Sequence, residues 1–160
     1  LSRNQFMPIV KMEKDVLEFL HSFSQIDKDN FHLEVLSLFP VACCEYSSLL
    51  LARFLIETKA YKSKDIFMIK GQSISNVDQL HLWLKVNGVI VDITAGQFIE
   101  AEKSIIIDEH GSWHNKFFYE LDAYTPAIDF KNYVDEFDLP TLENDYLMIV
   151  QQIHQNSTTF

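Results

Sequence analysis

Three residues of this chain have the types and spacing for covalent acyl chemistry: Cys44, His81 and Asp92. The thiol lies in FPVACCEYSSLLLARFL (39–55), where two adjacent cysteines stand at the expected start of an apolar helix. The chain has two cysteines in all. Neighbours in sequence make no useful staple, so reduced thiols and a reducing, cytoplasmic compartment are expected. A thiol at a helix N-terminus sees the positive end of the helix dipole, which favours the thiolate. The histidine and the aspartate lie in LHLWLKV-NG-VIVDIT (80–94). There, Asn87-Gly88 is the preferred pair for a two-residue type I′ hairpin turn.

That turn sets the register. Val86 falls opposite Val89, Trp83 opposite Asp92 and His81 opposite Thr94. One face carries Leu82, Leu84, Val86, Val89, Val91 and Ile93, a wholly apolar set that must enter the core. The other carries His81, Trp83, Lys85, Ile90, Asp92 and Thr94. His81 and Asp92 become diagonal neighbours, roughly 7–8 Å apart at the backbone, close enough for an imidazole to reach a carboxylate. Such a carboxylate fixes the tautomer and leaves the second ring nitrogen to take a proton from a nucleophile. Cys44 supplies the nucleophile, giving a Cys–His–Asp set in the chain order of cysteine hydrolases.

The elements that must position these groups follow from periodicity. Met12, Val16, Leu20 and Phe23 recur at helical spacing between Ile9 and Phe23. A polar turn at Asp27–Asn30 separates that helix from Phe31–Phe39, which Pro40 closes. A helix from Ala42–Cys44 to about Glu57 is apolar nearly all round, hence buried. Cys44, Ser48, Leu51 and Leu55 share one of its faces. Asp65–Ile69 reads as a strand, Gly71–Gln79 as a polar loop, Ile105–Ile107 and Phe117–Tyr119 as further strands. Thr141–Gln155 reads as a closing helix opened by Pro140 and Thr141. The expected architecture is one α+β domain over residues 1–160, with N-terminal helices and a central thiol-bearing helix packed on an antiparallel sheet.

The order A-x-C-x-x-x-S at a helix start, H-x-W on one strand and V-D-I-T-x-x-Q-F on the next resembles the transglutaminase-like branch of the papain-like cysteine enzymes. The resemblance covers Phe39 to Phe98. It implies Cys44 as nucleophile, His81 as base and Asp92 as orienting acid, with no metal or organic cofactor. This chain departs from the group in carrying Ala42 where glycine usually stands two residues before the cysteine. The doublet also admits Cys43, which would put Tyr46 at an often aromatic position. Aligning on Cys44 keeps a small residue two before and four after, and is preferred.

Bulk properties set the remaining bounds. A length of 160 residues with 48% apolar content and 13 phenylalanines suits one packed domain. A formal charge of −10 argues against sequence-independent nucleic-acid binding, which relies on cationic side chains. No apolar run is long enough to span a bilayer, and no signal peptide is evident. The missing initial methionine points to a processed chain or an excised piece.

The expected substrate is a protein or peptide amide; oligomeric state is not legible. Three outcomes stay open for the thioester: water on a peptide, water on a glutamine side chain, or transfer to an amine. Two rivals stand beside the enzyme, a domain of this fold that binds without catalysis and a secreted effector or toxin domain. Each residue also has a plain structural role. A cysteine in an apolar helix usually packs, and Trp83 reads as packing or a lid. Gln97 reads as a polar cap after its strand, with donation to an oxyanion or to Asp92 as the alternative. His110 and His114, beside Asp108 and Glu109, raise the thought of a metal, but Gly111 interrupts a helix there and a solvated loop is expected. His21, His32 and His154 have no evident partner. Glu100, Glu102 and Asp135–Asp138 read as solvated surface.

Overall fold

The structure, a computed structural model, describes residues 3–131 and 138–158, with the backbone alone for 3–7. Most of the acidic stretch, residues 135–137, lies outside the described residues; Asp138, Glu100 and Glu102 are exposed. The fold is α+β. Four helices, α1 (Arg3–Gln25), α2 (Cys44–Lys59), α3 (Ser112–Phe117) and α4 (Leu139–Thr158), accompany five strands. The strands are β1 (Ile66–Ser73), β2 (Leu80–Val86), β3 (Val89–Asp92), β4 (Ile106–Asp108) and β5 (Phe118–Tyr124). They form one sheet in the order β4-β3-β2-β1-β5, with every neighbouring pair antiparallel. Among the described residues no helix is long and apolar enough to cross a membrane.

The hairpin turns at Asn87 and Gly88, both at positive φ (51° and 80°), as a type I′ turn requires. Its register pairs Val86 with Val89 and Leu84 with Val91. Alternation then sends Leu84, Val86, Val89, Val91 and Ile93 into the main core. Helix α2 packs on that face against β2 and β1, and α1 packs outside it against α2 and α4. Leu49, Leu50, Leu51, Phe54 and Leu55 of α2 are all fully buried, which is why that helix shows no solvent stripe.

Three segments differ from the sequence expectation. Strand β1 runs on through Gly71 to Ser73, where a polar loop was expected; pairing with β2 on one side and β5 on the other satisfies its backbone. Gly71 is there because the Trp83 ring occupies the space a Cβ would need, with ring carbons 2.4 and 2.6 Å from that position. The expected loop around His114 is a short helix, α3. Gly111 does not interrupt it but precedes it as N-cap at φ 67°. Phe117 ends α3, so the last strand begins at Phe118 and runs to Tyr124.

A candidate thiol–imidazole–carboxylate site

Cys43 is the N-cap of α2 and Cys44 its first residue, so the two thiols leave the helix end in different directions. Cys43 is fully buried. Burial and the neighbouring Cys44 push its thiol up to about 11, against a smaller opposing effect of Ser47. Cys44 is half-buried. The turn that delivers the doublet bends sharply: Ala42 takes φ 62°, a left-handed conformation that favours glycine. This is the position at which the resembling group carries glycine. The far end of α2 is alike, with Ala60 as C-cap at φ 60°.

His81 and Asp92 share the sheet face opposite the main core, and both are fully buried. His81 Nε2 lies 2.7 Å from Asp92 Oδ2, the contact expected from the hairpin register. The other carboxylate oxygen, Oδ1, accepts the Thr94 backbone N–H at 3.0 Å and the Thr94 hydroxyl at 3.3 Å. Burial alone would lower the pKa of His81, but the Asp92 charge and hydrogen bond raise it to about 9, with a smaller contribution from Cys44. Burial would raise Asp92; the His81 charge and the imidazole hydrogen bonds more than reverse it and hold the carboxyl well below its usual range.

With Nε2 committed to Asp92, the ring nitrogen left for Cys44 is Nδ1. It is buried and makes no hydrogen bond of standard geometry, although Cys44 is close enough to strengthen its hold on a proton.

The sequence reading missed His114. Helix α3 buries its ring and brings its Nε2 within 2.7 Å of the same Asp92 Oδ2. The expectation of a solvated loop holds for His110, whose side chain is 77% exposed, and fails for His114. A signal was present: Trp113, Phe117 and Phe118 surround His114 with apolar residues at one-turn spacing. An aromatic cage closes over both histidines. Trp83 stands 4.5 Å from the His114 ring and 5.5 Å from the His81 ring, and Phe98 meets His81 edge-on at 4.7 Å. Trp83 is therefore packing, as one of its two readings had it.

Other candidates fall elsewhere. The side-chain amide of Gln97 donates to the Thr94 carbonyl at 3.1 Å, a cap on the turn after β3. His32 finds a partner in fully buried Asp145, which also accepts the backbone N–H groups of His32 and Leu33. This ties the segment before α2 to α4. His21 and His154 are exposed.

His81, Asp92 and His114 are also the group among the described residues whose ligand atoms, all within 4.8 Å of one another, lie close enough for a metal ion. Both 2.7 Å contacts, however, are already accounted for as charge-assisted hydrogen bonds. The three side chains are thus already held together as a hydrogen-bonded cluster.

Comparison with protein-family models, with curated proteins and with solved structures finds no match for this chain.

Proposed function

We propose that this chain is a thiol-dependent amide hydrolase or acyltransferase of the transglutaminase-like, papain-like type, acting through a thioester on Cys44. The observation that carries the reading is the arrangement around His81. One ring nitrogen is fixed to a buried carboxylate at 2.7 Å, and a half-exposed thiol at a helix start bears on the same ring.

In this mechanism the Cys44 thiolate attacks the amide carbonyl carbon, and a C–S bond forms as the carbonyl electrons move to oxygen. The backbone N–H of Cys44, one of the first-turn groups without an intrahelical acceptor, donates to that oxyanion. The intermediate collapses with cleavage of the C–N bond, and His81 Nδ1–H gives its proton to the departing amine. Water or a second amine then delivers its proton to Nδ1 and attacks the thioester carbonyl. The C–S bond breaks and the thiolate returns. Asp92 stays ionised throughout and stabilises the imidazolium.

The test is alkylation by iodoacetamide at neutral pH, with the modified residue identified by mass spectrometry. Fast labelling confined to Cys44, and slowed at least tenfold by His81→Gln, is the expected result. Two sluggish thiols indifferent to His81 would overturn the enzyme reading and leave a binding domain.

A further inference from the structure

We propose that His114 is a positioning residue of the thiol site, acting through Asp92 alone; the inference rests on the thiol-enzyme reading above. A buried carboxylate offers about four lone-pair directions, and in Asp92 all four are taken. Oδ1 receives the Thr94 N–H and hydroxyl, and Oδ2 receives the two imidazole Nε2 groups, each at 2.7 Å. Thr94 holds one oxygen from its own strand end, and His81 is the group to be oriented. His114 is the one partner that arrives from outside the hairpin, and it holds the same oxygen that His81 touches.

The chemistry of the ring supports this role. His114 Nδ1 is buried without a partner, a cost that a phenylalanine or leucine in the same cage would not carry. What distinguishes the imidazole from such a residue is its single donor to Oδ2. Water cannot easily stand in for that donor: His114 is packed between the Trp83 and Trp113 rings, at 4.5 and 4.8 Å, and Asp92 is fully buried. With the donor removed, Oδ2 keeps a lone pair that only His81 can serve. The carboxylate is then free to turn toward His81 and change the angle at which that ring presents Nδ1 to Cys44. A hydrogen bond to a buried charged group is commonly worth roughly 10–100-fold.

The experiment compares His114→Phe, which keeps the ring and loses the donor, with His114→Gln, whose amide nitrogen reaches about where the imidazole Nε2 lies. The readouts are the iodoacetamide rate at Cys44 and the urea midpoint. His114→Phe is expected to slow Cys44 at least tenfold, and His114→Gln to return it to within a few-fold of wild type. In an Asp92→Asn background the two variants should no longer differ, because the path through Asp92 is cut. A wild-type rate in His114→Phe would overturn the proposal. So would equal slowing by Phe and Gln, which would point to ring packing or to metal ligation, since an amide is a poor substitute for either. If His114→Phe does not fold, His114→Asn replaces it; its shorter amide cannot reach Oδ2, so Asn slow and Gln fast supports the role, and equal rates refute it. His81→Gln separates the two claims. An unchanged Cys44 rate there removes the thiol-enzyme reading itself, whereas a slowed rate beside a normal His114→Phe removes the role of His114 alone.

Discussion

The His81 and His114 rings lie parallel to within 8°, their centroids 6.4 Å apart, and both turn Nε2 toward one oxygen of Asp92. The arrangement makes stability depend on pH with a definite sign. His81 is raised to about 9 in the folded chain, against about 6.5 for an unperturbed imidazole. Its contribution is therefore complete below about pH 6.5 and is lost as pH rises through 9. Asp92 is lowered, so its contribution is present above about pH 4, its unfolded value, and is lost as pH falls further. The two describe one ion pair. The urea midpoint should hold level between about pH 4 and 6.5 and decline toward pH 9, and His81→Gln should flatten that decline.

Cys43 and Cys44 should separate by the property each variant damages. Cys43 is fully buried, so Cys43→Ser places a hydroxyl in the core. The nearby Ser47 hydroxyl offers a partner, which keeps the cost near the lower end of the usual range, about 1 kcal/mol. Cys44 labelling should be retained. Cys44→Ala should leave the midpoint within about 0.5 kcal/mol of wild type and abolish the fast reaction. Denaturation curves and labelling on the same two preparations check both halves.

Helix α2 begins beyond one left-handed alanine and ends on another, Ala42 and Ala60. A non-glycine residue there costs roughly 1–2 kcal/mol, part of which glycine returns through its looser unfolded chain. Ala42→Gly and Ala60→Gly should each stabilise the fold by about 0.5–1 kcal/mol, and additively, since they lie at opposite ends of α2. A loss of stability in either would mean that the alanine methyl is packing against something. Thermal unfolding of the two single variants and the double variant decides.

Gly71→Ala should act on the site from outside it. The added methyl meets the Trp83 ring at 2.4 Å, so the indole must move, and with it one wall of the cage around both histidines. Overpacking of this kind typically costs about 1–3 kcal/mol. Tryptophan fluorescence should shift, and Cys44 alkylation should slow even in conditions where the variant is fully folded. An unchanged rate would show that the cage tolerates a displaced Trp83.

The hairpin was legible because its determinants are local. Asn87-Gly88 sets the turn, the turn sets the register, and the register places His81 beside Asp92. The α2 start was legible for a similar reason, since its apolar run is continuous. His114 was hidden because its partner is 22 residues away and its six-residue helix shows a single turn of the period, in Trp113, Phe117 and Phe118. In sequence Gly111 reads as a helix breaker, although at φ 67° it begins a helix. The extension of β1 was hidden by composition: Gln72 and Ser73 look like loop residues, and Gly71 owes its place to an indole on the neighbouring strand. In each of these misses a tertiary neighbour outweighed the local pattern.

The order of the sheet carries a consequence for how the molecule opens. Strands β2 and β3, which bear His81 and Asp92, each have a paired strand on both sides, and the sheet ends on β4 and β5. Breathing of a sheet starts where backbone groups lack a second partner, so amide exchange should reach β4 and β5 well before it reaches the hairpin. Asp92 itself pairs with Ile106 of β4 and His81 with Gly71 of β1, so fraying of β4 should reach the imidazole–carboxylate contact while the rungs next to the turn, from Leu84 with Val91 to Val86 with Val89, still hold.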